Sequence, residues 1–529
     1  MKKIFTLIAL MVLAQAVFSQ KLLTTAERTN YEKASTYDEV MDFIKTLDES
    51  SAYARLEYIA TTVEGRKVPL LVVANPMITS NDLKNDNRLV VYLQANIHAG
   101  EVEGKEASQM LARELLNHPD SKILENLIVL INPILNPDGN EKFSIHNRTN
   151  QNGPASVGAR PNGQMLDLNR DAMKLETPEI RGVVKNVLNK WDPAISVDMH
   201  TTNGSYHEEP CTFTWQMNPN GDHNLISYMR DEMMPEVHHT LRDKYHVENI
   251  FYGEFVDKMH IEKGWISYAS EARFLWNYIG IRNRLAILNE NYVYADFKTR
   301  VNGSFNLLNA ILDYAVSHKN EIKNLLNTAD NASINRFSQP GATDSLAIHY
   351  KGVPTREKIT IKAYETDTIP GAKGYWRFKQ SNRKRTVTVD YIADWISTES
   401  VKIPHFYLIA LTDPRVPELL KLHGIKVEQL NDSTTFDVEE FKVIGLHPGK
   451  RLFQGHYLNS IDGYYYNTEK TFPKGTYVVY TNQPLGNLAA YLLEPEADDG
   501  LLKWNYFDRY LAPQWGNGFY PYPVYRVMK

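Results

Sequence analysis

An α/β class, with a mixed and mostly parallel central sheet flanked by helices, is predicted for residues 20–328 by two observations. The first is a set of continuous apolar runs, Arg88 to Asn96, Asn126 to Asn132, Ala194 to Met199 and Arg284 to Glu290, the form taken by strands covered on both faces. The second is the helical spacing of apolar residues between those runs, the pattern of helices packed on such a sheet.

Tyr58 to Val73 reads as two strands around a glycine turn, and Arg88 to Asn96 as the first buried strand. Val102 to Leu116 sets Ala107, Met110, Leu111 and Leu115 on one face, so a helix follows that strand directly. Further helices are expected over Glu179 to Asn189, Asn224 to Tyr245 and Ser304 to Asn327. Residues 329–354 are polar and rich in Ser, Asn and Asp, which predicts a linker or domain edge. Residues 355–529 read as a smaller accessory region, α+β or β-rich. It has alternating segments at 357–366 and 384–393, then the run 406–411, a short helix near Pro417 to Leu422, and 424–430, a small βαβ-like unit. The aromatic stretches 462–467 and 514–525 are expected to pack on the preceding domain rather than to stack on sugars. Arg383, Lys384 and Arg385 are expected to form a solvated strand edge.

At 529 residues the chain exceeds one ordinary core and predicts two or three domains. Hydrophobic residues at 43% and charged residues at 23% place it among globular proteins. A net charge of -5 argues against a nucleic-acid-binding face, which needs concentrated Lys and Arg. Lys2 and Lys3, the apolar stretch Ile4 to Val17 and the small Ser19 mark residues 1–19 as a signal peptide. Export to the periplasm or the extracellular space is therefore expected, with no stable membrane span after cleavage. Cys211 is the single cysteine, so the fold stands without an intramolecular disulfide.

The sharpest motif is His98-Ala99-Gly100-Glu101, placed where a buried strand gives way to a helix. A His and a Glu three apart on a tight turn can direct one nitrogen and one carboxylate at a single zinc ion. The spacing alone is weak, because His318 and Glu321 repeat it inside a polar helical turn. His200, ending the strand that begins at Ala194, supplies a third ligand and leaves a fourth position for water. Glu290, ending another apolar run, is the candidate general base. No HExxH, GxSxG or Walker-type loop occurs, so other hydrolytic and nucleotide chemistries recede.

In order along the chain, HAGE, the turn Asn136 to Gly139, Asp167-Leu168-Asn169-Arg170, His200 and Glu290 resemble the carboxypeptidase A-like zinc carboxypeptidases over roughly residues 25–325. The resemblance implies one Zn2+ on His98, Glu101 and His200, with Asp167 orienting His98. It implies that Asn169 and Arg170 hold the terminal carboxylate of a peptide or protein substrate, and that Glu290 activates water. The residue that polarises the carbonyl departs in spacing from the family pattern; Arg148 is preferred, with Arg160 second. The substrate-covering tyrosine is Tyr268 or Tyr278. The activity implied is hydrolysis of a C-terminal peptide bond. The alternatives are a zinc amidohydrolase acting on cell-wall peptides and an inactive peptide- or glycan-binding relative.

Overall fold

The computed structural model describes residues 22–529 except 268–269, 340, 514 and 517, so the expected signal peptide and Tyr268 lie outside the described residues. Among the described residues, ten strands belong to the N-terminal part: β1 (Ala54–Thr61), β2 (Lys67–Val73), β3 (Leu89–Ala95), β4 (Leu127–Asn132), β5 (Ile195–Thr201), β6 (Cys211–Trp215), β7 (Asn249–Phe251), β8 (Glu254–Phe255), β9 (Trp265–Ile266) and β10 (Leu285–Asn291). Eight of them form one sheet in the order β1-β2-β4-β3-β5-β10-β6-β7. Its centre is parallel: β4 with β3, β3 with β5, and β5 with β10. The β1–β2, β2–β4 and β10–β6 pairs are antiparallel, so the predicted mixed α/β class is what the chain forms.

The central strands are apolar because both faces are covered. Every residue of β3, β4 and β5 is buried. On one side lie the helices Glu103–Asn117 and Phe297–Ser317. The other face carries Val183, Trp191 and Ile279, and on the same apolar cluster rest Leu420, Leu488 and Val524 of the C-terminal part. The expected helix 179–189 forms with a wide π turn at Val183–Leu188, and the expected helix 224–245 contains another at Met229–Met233. The third expected helix is broken into Phe297–Ser317 and Lys319–Ile334 at His318.

The expected linker is corrected by the structure. The helix Lys319–Ile334 runs into residues 329–334, and Ser345–Pro354 is a strand, leaving only a short connection between them. The polar residues that suggested a linker sit on the exposed sides of those elements; Asp330, for example, holds Arg284. The strand Tyr391–Lys402 then pairs in parallel with β9, so a four-stranded sheet joins the two parts of the chain. Beyond it, a six-stranded antiparallel sheet has Phe406–Ile409 and Val524–Val527 at its centre and the long hairpin Thr434–Pro448/Asn459–Phe472 at one edge. The expected βαβ-like unit keeps its helix at Arg415–Leu422, while its last strand shrinks to Glu428–Gln429. Of the aromatic stretches, Tyr522 and Tyr525 are buried, whereas Tyr464 and Tyr466 face outward. Arg383 pairs with Glu365 and Asp367 at a solvated edge. No helix among the described residues is long and apolar enough to cross a membrane.

Polar clamps reinforce the apolar contact between the two parts. Asp499 accepts from the backbone and side chain of Arg273, and His456 Nε2 lies 2.9 Å from Glu176. Glu176 raises the His456 imidazole, against partial burial. Burial alone would raise Glu176, but His456 and Lys174 outweigh it and bring the carboxyl down to about 2.

Two outcomes follow from this packing. Truncation after Asp344 removes the residues that cover the shared apolar cluster, so the fragment 22–344 is expected to be insoluble or to lose cooperative unfolding by circular dichroism; a soluble fragment with a sharp transition would contradict the packing. The clamp's pH dependence has a defined sign. The Glu176 contribution is complete above its ordinary 4.5 and is lost as pH falls through about 2. The His456 contribution is complete below its ordinary 6.5 and is lost as pH rises through its raised folded value. His456→Gln should therefore lower Tm more at about pH 5.5 than at about pH 9, as read by scanning calorimetry.

Candidate active site

Three adjacent parallel strands place the site at their carboxyl ends, where open α/β sheets expose loops to a crevice. His98 follows β3, His200 lies near the end of β5, and Glu290 lies near the end of β10. Register partners in the β5–β10 ladder are His200 and Glu290, so pairing alone sets the two side by side. The turn after β3 closes through the Glu101 N–H to the His98 carbonyl at 2.9 Å. Gly100 is needed there, because a Cβ would stand 2.9 Å from both the Arg148 side chain and the Gly158 carbonyl.

His98 Nδ1 lies 3.1 Å from Glu101 Oε2, His200 Nδ1 2.9 Å from the same oxygen, and the two Nδ1 atoms are 3.2 Å apart. Ligands about 2.0–2.1 Å from a tetrahedral ion are separated by roughly 3.3 Å, so this triangle has the size such an ion requires. The outer ring nitrogens fix its chemistry. His98 Nε2 donates to Asp167 Oδ1 at 3.0 Å, and His200 Nε2 lies 3.1 Å from Asp198 Oδ2. The two carboxylates occupy the outer nitrogens, so each ring presents Nδ1 to the common point. Among the described residues this is the one His/Cys/Asp/Glu group whose ligand atoms converge on a point. The decoy at His318 instead stacks on Tyr314.

The local field favours positive charge. Burial would raise the Glu101 carboxyl, but His98, Arg148 and His200 hold it well below the usual range. Burial would lower His200, but Asp198 and Glu101 hold it well above 6.5. Burial acts on Asp167 in the same direction as on Glu101 and is again outweighed, here by His98, Arg160 and Arg170. Glu290 is different: burial dominates and, with Glu101 nearby, pushes it up to about 8 against the pull of His200 and Arg148.

A cleft of about 370 Å³ opens on His98 and Glu101 and is lined by Arg160, Asn169, Arg170 and Glu290. Tyr252, Phe274 and Trp276 form an aromatic wall, and Glu254 and Glu271 add carboxylates. Arg170 donates to the Asn169 carbonyl at 2.7 Å and stacks over Phe274 at 4.2 Å, which leaves its remaining N–H groups directed at the cleft. Asn169 Oδ1 receives the Leu275 N–H, tying this wall to the helix Leu275–Ile281.

Two expected residues fall elsewhere. Arg148 spends its donors on Glu101 at 2.8 Å, Gln151, and the carbonyls of Thr201 and Thr202, so it braces the metal-site carboxylate and does not line the cleft. Arg160, held by Asp167 at 2.9 Å with 42% of its side chain exposed, is the guanidinium that lines it. Tyr278 is also corrected: it is fully buried and bonds His423 Nδ1 at 2.7 Å, packing the helix Leu275–Ile281 against the C-terminal part. Asp198 was missed, although its place two residues before His200 on a strand puts it on the same face. The aromatic wall and the two cleft carboxylates carry no sequence signal, because loops assemble them.

A converging His-Glu-His set beside a lone carboxylate, on an α/β sheet, defines a metal-dependent hydrolase class. Residues 40–203 match the family model described as zinc carboxypeptidase. The chain is 24% identical over 513 residues to "Carboxypeptidase 2" of Trichophyton rubrum, spanning 90% of this chain and 86% of that protein. It is 23% identical over 523 residues to "Carboxypeptidase 2" of Trichophyton tonsurans, spanning 93% and 86%. A solved metallo-carboxypeptidase from Burkholderia cenocepacia aligns at 16% identity with a TM-score of 0.41, over 54% of this chain and 70% of that one. Residues 40–203 carry the zinc carboxypeptidase match, and the chain is an enzyme of metallocarboxypeptidase type.

Asp198→Asn should weaken Zn2+ binding by roughly 10–100-fold, the usual cost of removing a carboxylate behind a ligating imidazole. Competition with a chromogenic chelator measures this, and unchanged affinity would show that Asp198 does not set the His200 ring.

Proposed function

We propose that the chain hydrolyses the C-terminal peptide bond of peptides, with one zinc ion held by His98, Glu101 and His200. The observation that carries this reading is the convergence of those three ligand atoms beside Glu290 in a cleft that also presents Asn169 and Arg170. The donor set fits the ion: two imidazoles with inward-facing Nδ1 atoms and one carboxylate, within a field that favours positive charge. A bound zinc ion supplies a Lewis acid that acidifies water towards a pKa of about 7.

The chain's own groups divide the remaining work. Arg170 offers planar paired donors to the terminal carboxylate, and Asn169 stands beside it, so a free C-terminus is what the cleft reads. Glu290 takes a proton from the attacking water and returns it to the leaving amine, so no covalent intermediate with the protein is required. Its burial supports this role by keeping the carboxyl basic enough to accept a proton near neutral pH. Arg160 places its charge in the cleft where the carbonyl oxygen becomes negative. The leader-like residues 1–19 support export of the enzyme.

Glu290→Gln should retain one zinc per chain and lose about 10²–10⁴ in kcat on an N-terminally blocked peptide. Dialysis against a chelator should abolish cleavage and added Zn2+ should restore it, while the C-terminally amidated form of the peptide should resist. Full activity in Glu290→Gln, or equal cleavage of the amidated peptide, would overturn the assignment.

A further inference from the structure

The C-terminal part reaches Asp167, the residue behind His98, through Gln454. At Phe453–His456 the chain makes a two-residue turn, closed by Phe453 N–H to the His456 carbonyl at 2.8 Å and by the reverse bond at 3.0 Å. Its central residues, Gln454 and Gly455, have φ of 52° and 82°. Two positive values are what such a tight hairpin requires. Gly455 adopts one freely, whereas Gln454 carries a Cβ into left-handed space, where glycine would be the unstrained choice. The strained residue is the one that makes a contact: Gln454 Oε1 accepts the backbone N–H of Asp167 at 2.7 Å, across 287 residues of sequence.

Asp167 is pulled in two directions. Its Oδ1 holds His98 Nε2 at 3.0 Å, while Arg160 draws Oδ2 from 2.9 Å. Fixing the Asp167 backbone keeps Oδ1 on the imidazole against that pull. His456, which closes the turn, is itself anchored on Glu176 and Asn505.

We infer that Gln454 is a positioning residue for the metal site, acting through Asp167 on His98, so that the C-terminal part completes the metal-binding geometry of the N-terminal part. This rests on the zinc reading above. Backbone strain stored where it serves a site is a recognised arrangement, and it yields a test that a purely structural role would fail.

The full-length wild type, Gln454→Gly and Gln454→Glu are compared for Zn2+ affinity by chelator competition and for Tm of the metal-free protein. Gln454→Gly relieves the left-handed strain and removes the acceptor, so Tm should hold or rise while Zn2+ affinity falls by about tenfold. Gln454→Glu keeps an acceptor oxygen and should restore affinity to within about threefold of wild type. Wild-type affinity in Gln454→Gly, or a loss that appears only together with a lowered Tm, would overturn the inference while leaving the zinc reading intact. A wild type that binds no Zn2+ would overturn both.

Discussion

The parallel pairing of β5 with β10 is the constraint on which the rest of this site depends. Register sets His200 opposite Glu290, and pairing of β5 with β3 brings the turn at His98 to the same edge. A slip of one residue in either ladder would turn these side chains into the apolar layers. The covering helices and the burial of every residue in β3 and β5 hold that register, since a slip would force each side chain into the differently shaped layer on the opposite face. Catalytic geometry and core packing are therefore enforced by the same hydrogen-bonded ladders.

The second demand is electrostatic. His98, Glu101, Asp167, Asp198 and His200 are all buried, and burial of an ion costs several kcal/mol unless a partner offsets it. Each carboxylate here has one. Glu101 has Arg148 and the two imidazoles, Asp167 has His98 and Arg160, and Asp198 has His200 and Gln94. Arg148 thus serves the site without touching the cleft. At Glu290 burial outweighs the pull of His200, Arg148 and Arg160, so its carboxyl is a stronger base than those of the cluster beside it.

The C-terminal part is a structural component of the enzyme rather than an appended bead. It shares a sheet through β9, an apolar cluster through Leu420 and Val524, and clamps at Asp499–Arg273 and His456–Glu176. Arg273 immediately precedes Phe274, on which Arg170 stacks, so one of these clamps fixes a wall of the cleft. Polar composition at 329–354 suggested a boundary because Ser, Asn and Asp favour turns, but the same residues are tolerated on the outer faces of a helix and a strand.

The sequence by itself determined the sheet and the residues of the His-Glu-His cluster. Short apolar runs bounded by turn residues take the form of strands buried on both faces, and a His-Glu turn at one strand end with a His and a Glu at two others specifies convergence once those strands are adjacent. Tertiary structure alone decided which guanidinium lines the cleft, where Tyr278 lies and what stands behind Asp167. Sequence ranked Arg148 ahead of Arg160, and only the partners that occupy Arg148 reverse that order. Gln454 is 287 residues from the backbone it holds. No local periodicity or spacing encodes such a contact, because it arises from loop closure between distant elements and not from propensity along the chain.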